Sequence, residues 1–274
     1  MSGSNYKMQF NGLYADHYTH ISPPLDFLYR HTHNEFELLY ILSGDVTYVI
    51  EDRKYKLKKH DLVVIRPNDY HFIRIDSSVD YQRYDILFSP EILGVDNINL
   101  LPENLDVIGC RHRPIISDIF KKIDYYNSIM DPECVRDIIP LLLKELIYNL
   151  AQPLDGEIKK SAEHIHPIVA QALSIINNGL FSIKKVGEIA DELFVTESYL
   201  YRIFQRELKT TPMKYITEKR ILSAHNLIML GKRPTEIYRH CGFEDYACFY
   251  RNYIKILGHS PSKGWSDTKK KRLE

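Results

Sequence analysis

The chain has 274 residues, 44% of them hydrophobic, with 36 Lys and Arg against 36 Asp and Glu; that is enough to bury a substantial core and suggests two domains. Four cysteines (Cys110, Cys134, Cys241, Cys248) without a CxxC pair exclude a disulfide framework and a zinc ribbon, and purely apolar runs of a few residues exclude a membrane span. Residues 182–274 carry 18 Lys and Arg against 11 Asp and Glu, while residues 1–181 carry 18 against 25, a split that suits a basic module for a polyanion joined to an acidic module with another task, or an ordinary solvated surface.

From Asp26 to Ser89 the pattern is of short strands: "FELLYILSG", "DVTYVIED", "RKYKLKKHDLVVIRP" and "YQRYDILFS" are rich in Val, Ile, Leu and Tyr and are separated by turn residues. Many short strands at this spacing predict an antiparallel sandwich or small barrel. After Pro114 the period becomes helical. Ile115, Ile119, Ile123, Tyr126 and Met130 form one stripe, and Val135, Ile139, Leu142, Leu146 and Leu150 another, the second opening on Asp131 as N-cap and Pro132. These stripes are either a dimer seam or a face packed on the barrel. The polar run "AQPLDGEIKKSAEHIH" predicts a linker over 153–164, and "KKKR" at 269–272 belongs to a basic tail.

Two later segments share a layout. "VGEIADELFVTESYLYRIFQREL" predicts a helix to Leu193, a short turn and a second helix capped by Thr196; "PTEIYRHCGFEDYACFYRNYIKIL" repeats this with Gly242 in its turn. Leu200, Ile203, Phe204 and Leu208, then Phe249, Tyr253 and Leu257, mark inward faces, leaving the other face free for the major groove in the manner of a helix-turn-helix. Between them a helix capped by Thr211 and Pro212 runs to Gly231. About nineteen residues at 1.5 Å each give roughly 28 Å, against ~34 Å between successive major-groove faces of B-DNA.

From about His166 to Trp265 the chain resembles the AraC/XylS family of bacterial transcription regulators, through "IADELFVTESYLYRIFQREL", "TPMKYITEKRILSAHNLI" and especially "GFEDYACFYRNYIKILGHSP". The resemblance implies a double helix-turn-helix head whose DNA-contacting positions are Ser198, Tyr201, Arg202 and Arg206 in the first motif and Tyr246, Ala247, Tyr250 and Arg251 in the second. Arg202 is the strongest of these, since a guanidinium pairs bidentately with guanine; Arg251 is read as structural. Two positions depart from the family pattern. Phe194 stands in a turn where Gly is usual, and Tyr238 replaces a small residue at the helix crossing.

Ahead of the first predicted strand lies "HTHNEFE". Read along one strand, His31, His33 and Glu37 share a face, and with Gly44 they resemble the first cupin motif. The second is looser, keeping Asp61 and His71 but with His60, Arg66 and Asn68 where Gly, Pro and Gly are usual. The resemblance implies a set of His31, His33, Glu37 and His71 suited to zinc, nickel or iron, and it allows a metal-dependent cupin enzyme or metal sensor, or a small-molecule sensor. The DNA-binding head selects sensing, because a regulator needs differential binding and not turnover. The expected effector-binding residues are His31, His33, Glu37, Tyr40 and His71. Tyr29, Tyr40, Tyr48, Tyr70, Tyr81 and Tyr84 suggest a carbohydrate, and Arg74 or Arg66 suits a carboxylate or phosphate instead.

The expected fold is therefore multidomain α and β: an antiparallel cupin-like β-barrel over 1–110, a helical dimerisation arm over 111–152, a linker over 153–164, an all-α double helix-turn-helix domain over 165–266 and a basic tail over 267–274. The expected function is a non-enzymatic, cytoplasmic, homodimeric transcription activator. Its partners are double-stranded DNA, a small-molecule effector and RNA polymerase, with no membrane contact. No cofactor is required, although the barrel has room for a divalent metal.

Overall fold

The structure, a computed structural model, describes residues 2–10, 12–25, 28–31, 33–94, 98–101, 105–152 and 162–263, with the backbone alone at 2–5 and 28–31. Most of the expected linker and all of the basic tail lie outside these residues. The chain divides into two compact units, Met1–Glu163 and His164–Glu274.

The first unit opens with β1 (Ser2–Phe10) and β2 (Leu13–His20), followed by β3 (Leu28–His31), β4 (Phe36–Ser43), β5 (Val46–Ile50), β6 (Arg53–Lys56), β7 (Asp61–Ile65), β8 (His71–Ile75), β9 (Tyr81–Phe88) and β10 (Val107–Gly109). One sheet has the order β1-β2-β9-β4-β7-β10, and a second contains β6-β5-β8-β3. The expected barrel is thus an open pair of sheets. β1 and β2 precede the region expected to form strands: "LYADHYTH" has weak strand propensity, yet it pairs with β9 over eight residues, from Leu13↔Phe88 to His20↔Tyr81.

Strand alternation divides the apolar side chains between two cores. Leu39, Ile41, Val63, Ile65 and Tyr81 of the first sheet meet Val46, Tyr48, Ile50, Ile73 and Ile75 of the second. The other face of the first sheet presents Leu13, Ala15, Leu38, Tyr40, Leu62, Val64, Tyr84, Ile86 and Phe88 to helices. With both faces covered, β4 and β7 become the unbroken apolar runs seen in the sequence.

A short α1 (Pro90–Leu93) precedes the two helices that cover this face, α2 (Pro114–Ile129) and α3 (Pro132–Ala151). Asp131 caps α3 by accepting from the Glu133 and Cys134 amides at 2.9 Å each. Ile119, Ile123, Val135, Ile139, Leu142, Leu146 and Leu150 all lie in the sheet–helix core, so most of both stripes packs on the sheet. The large apolar side chains left outside are Ile115, Tyr125, Ile129, Leu141 and Tyr148.

The second unit is helical: α4 (Pro167–Gly179), α5 (Val186–Glu192), α6 (Glu197–Leu208), α7 (Pro212–Met229), α8 (Pro234–Ile237) and α9 (Tyr246–Leu257). Thr196, Thr211 and Asp245 cap α6, α7 and α9, as their positions before each apolar stripe require. The buried Arg220 guanidinium of α7 donates to the carbonyls of Leu180 (2.7 Å), Ile183 (2.5 Å) and Gly242 (2.9 Å). Those carbonyls belong to the loop before α5 and the turn before α9, so one side chain ties the two motifs together. Phe194 takes a left-handed φ of 55°, the strained turn expected where the pattern prefers Gly. Tyr238 is accommodated edge-on to Tyr246, ring centres 5.4 Å apart. No helix of the described residues is long and apolar enough to cross a membrane.

Because α3 is part of the sheet–helix core, Leu146→Ala is expected to lower the stability of the full chain by about 2–5 kcal/mol, the cost of a large-to-small core change. Urea denaturation followed by circular dichroism checks this; an unchanged midpoint would return α3 to the status of a detached arm.

Candidate functional site

Between the two sheets lies a cavity of about 440 Å³. β2 contributes Tyr14, Asp16 and Tyr18, and β9 contributes Tyr81, Arg83, Asp85 and Leu87, in each case every second residue of the strand. Glu37 and Leu39 enter from β4, Tyr48 from β5, Ile73 from β8, and His33 from the connection before β4.

The strand register places Asp16 directly opposite Asp85, two carboxylates that are each about 5% exposed. Like charges opposed across a pair repel, so this arrangement needs compensation. Arg83 supplies part of it, its Nη2 lying 3.0 Å from Asp85 Oδ2, with the guanidinium over the rings of Tyr18 and Tyr81. Tyr14 donates to Asp16 at 3.1 Å. Burial, and then the neighbouring Glu37 carboxylate, push Asp85 well above the usual carboxylate range against the pull of Arg83. Four buried polar atoms around this cavity have no hydrogen-bond partner within the protein: Asp16 Oδ1, Asp85 Oδ1, Arg83 Nη1 and the Tyr81 hydroxyl. Leaving such a group unpaired costs about 1–3 kcal/mol, and these four lie around one space.

At the cavity wall, His33 Nε2 lies 3.0 Å and His71 Nε2 3.1 Å from the same oxygen, Glu37 Oε2. Burial lowers the His33 pKa, but the Glu37 and Glu35 carboxylates outweigh it and hold the imidazole above its ordinary value. The cluster forms, though not on one strand as expected: His31 ends β3 opposite His71, His33 lies in the connection, and Glu37 is on β4. The His31 side chain lies outside the described residues. Tyr40 is on the opposite face of β4, stacked on Phe120 and bonded to His60 Nδ1 at 2.7 Å, so it does not line the cavity. Nor do Arg66 and Arg74, which pair with Asp106 and Asp76. His60 and Asn68 adopt φ of 70° and 69°, filling with side chains the left-handed turns where glycine is usual.

Asp16, Arg83 and Asp85 escape a reading from the sequence. Asp16 sits on a strand that propensity does not reveal. Arg83 and Asp85 stand two apart with Tyr81 in "YQRYDILFS", and that alternation is the signal that marks them. On the reverse of the same strands, His17 and Tyr84 are cross-strand partners, and both bond to Asp124 of α2.

In the second unit, Ser198, Arg202 and Arg206 of α6 and Ala247, Tyr250 and Arg251 of α9 are exposed, whereas Tyr201 and Tyr246 are half-buried. Arg202 rests over the Tyr199 ring at 5.3 Å, and Arg206 pairs with Glu207 at 2.9 Å. Arg251 faces solvent, against its expected structural role.

Residues 17–95 match the AraC-like ligand binding domain family and residues 189–264 match a family described as helix-turn-helix domain. The chain is 22% identical over 252 residues to the HTH-type transcriptional activator RhaR of Enterobacter sp. (strain 638), covering 87% of each, and 23% identical over 251 residues to RhaR of Salmonella dublin, covering 88% of each. Among solved structures, ToxT from Vibrio cholerae O395 aligns at a TM-score of 0.40 and 13% identity, over 92% of this chain and 96% of that one.

The cavity wall at Tyr81 depends on Gly44, which has φ +133° and where an added Cβ would fall 2.8 Å from the Tyr81 ring. Gly44→Ala is expected to cost about 1–3 kcal/mol, as overpacking does, measured by urea denaturation; a neutral effect would show that Tyr81 is not held against this turn.

Proposed function

The chain belongs to the AraC/XylS family of transcription regulators, an effector-binding domain followed by a helix-turn-helix head, and from that premise we propose that it is a cytoplasmic activator switched by a neutral polyhydroxylated effector of the sugar class. The observation that carries the effector class is the set of unsatisfied atoms on Asp16, Asp85, Arg83 and Tyr81. Two carboxylates and a guanidinium give closely spaced acceptors and donors for neighbouring hydroxyls, and tyrosine rings give a stacking surface. The cavity volume falls within the roughly 300–1,000 Å³ of small-molecule sites. Activation as the output is supported by the two RhaR relatives, both of them transcriptional activators.

Occupancy has a short route to the helices. Asp16 and Asp85 face the cavity while the adjoining His17 and Tyr84 hold Asp124 of α2, so a guest that draws the carboxylates together also shifts the residues gripping that helix. The outward Leu141 and Tyr148 of α3 supply a surface for a second copy, which would set two heads on paired sites where RNA polymerase is recruited. DNA binding and effector capture require no cofactor and no catalytic step.

In the head, α7 has 18 residues, and at 1.5 Å each it separates α6 and α9 by about 27 Å, close to the ~34 Å needed to reach successive major-groove faces. Arg202 and Ser198 are suited to base edges. Arg206, held by Glu207, and Arg251 are suited to phosphates, as are the tyrosine hydroxyls of Tyr201, Tyr246 and Tyr250, while Ala247 permits close approach.

Arg202→Ala is expected to weaken binding to the specific site by ~1–3 kcal/mol with little effect on random DNA. Fluorescence anisotropy checks this, and an equal loss on both would make Arg202 a phosphate contact. For the effector, a panel of neutral monosaccharides is expected to include one that raises the melting temperature of the full chain. That shift should vanish in Arg83→Ala. A shift that persists undiminished in Arg83→Ala would place the guest elsewhere, and no response to any sugar would remove the sugar class.

A further inference from the structure

The two motifs of the second unit border an open pocket of about 620 Å³ that contains none of the DNA-contacting positions named above. Its lining comes from the loop leading into α5 (residues 181–185), from Arg220 of α7, from Arg239 just after α8, and from the turn leading toward α9 (residues 242–244). Lys184, Lys185, Arg220 and Arg239 face a single acid among the lining residues, Glu244. Glu244 offsets Lys184 alone, 3.4 Å away where both are exposed. Arg220 makes this more than a group of surface charges. It is 8% exposed, and the three groups it bonds are backbone carbonyls, dipoles without net charge. Among the described residues no carboxylate pairs with it, and burial pulls its pKa below the usual arginine value. Buried charges are ordinarily paired, because an uncompensated one is costly. The three carbonyls also take only three of the five N–H groups that a guanidinium carries, so donor capacity remains beside the pocket.

We propose that this pocket seats a phosphate group, and that the group is a backbone phosphate of the duplex between the two boxes met by α6 and α9. In a helix-turn-helix the first helix crosses the backbone and the second turns its N-terminal residues toward base edges. The pocket is bordered by the approach to α5, the first helix of one motif, and by the approach to α9, the second helix of the other, the parts that a duplex meets. Arg239, held through its Nε to the Tyr238 hydroxyl at 3.0 Å, offers a planar fork to phosphate oxygens, and Lys185 adds a point charge. A phosphate seated there touches the same two loops that Arg220 staples, so it sets the angle between the recognition helices as DNA is engaged. The duplex as the source rests on the DNA reading given above; the pocket's phosphate chemistry does not.

The test follows the full chain by fluorescence anisotropy over a range of salt, on a random-sequence duplex and on a duplex enriched by selection. Lys185→Gln and Arg239→Gln, both at exposed positions and checked for folding by circular dichroism, are each expected to lower the slope of log affinity against log salt by about 1. The fold loss is expected to be the same on both duplexes. Lys214→Gln removes an exposed lysine of α7 outside the pocket and is expected to leave the slope unchanged. Unchanged slopes in both pocket variants, or an equal drop in Lys214→Gln, overturn the duplex as the source. In a second arm inorganic phosphate alone is titrated at constant ionic strength against the wild type and Arg239→Gln, and the melting temperature is read. Lowered slopes support the duplex phosphate whatever this arm shows. Unchanged slopes with a rise in melting temperature that is lost in Arg239→Gln assign the pocket to phosphate from solution, and unchanged slopes with no rise overturn the site. A wild type that binds neither duplex removes the DNA reading itself, and the inorganic phosphate arm then decides the pocket alone.

Discussion

The constraint on which the first unit depends is the burial of one sheet on both sides. Each strand of the β1-β2-β9-β4-β7-β10 sheet must serve two environments at once, and a strand can do so only by alternation. In β4, Leu39 and Glu37 face the inter-sheet space while Leu38 and Tyr40 face the helices. In β2 and β9 the same rule sets Asp16 and Asp85 back to back with His17 and Tyr84. A slip of one residue would drive carboxylates into the helix packing and aromatic rings into the cavity, so register here is enforced from both faces. The same register sets the polar cavity lining one residue away from the grip on α2.

The second unit has a different organising device. Side chains cap α4, α6, α7 and α9, and the two helix-turn-helix motifs share few contacts of their own. Arg220 links them by donating to three carbonyls in the loops that precede α5 and α9. The close approach leaves no room for a side chain at Gly242, where a Cβ would fall 2.7 Å from the guanidinium, and the turn's φ of +78° favours glycine as well. Long α7 sets the separation of α6 and α9, and the Arg220 staple limits how far they can turn about it.

How legible this was in the sequence depended on whether the signal was local. Caps at Thr196, Thr211 and Asp131, the apolar stripes of α6 and α9, and the left-handed turn at Phe194 are decided within a few residues, and they stand in the structure where the sequence put them. The β1–β2 pair was not legible, because "LYADHYTH" becomes a strand through its partner β9 and not through its own propensity. That omission hid Asp16, and with it the carboxylate pair. The convergence of His33, Glu37 and His71 was expected from the two cupin-like motifs, but the shared strand expected for His33 and Glu37 is absent, because His33 lies in the connection before β4. The stripes of α2 and α3 allowed two destinations, and composition could not choose between a partner copy and the sheet, which offer the same apolar surface.

Selection of DNA from a randomised duplex pool by the purified full chain tests most directly the proposal that one chain reads two successive major-groove faces. Enrichment of a site with two conserved boxes about one helical turn apart, roughly 10 base pairs centre to centre, bound with steep salt dependence, is the predicted result. A pool that fails to enrich, or whose binding is indifferent to salt, would contradict it.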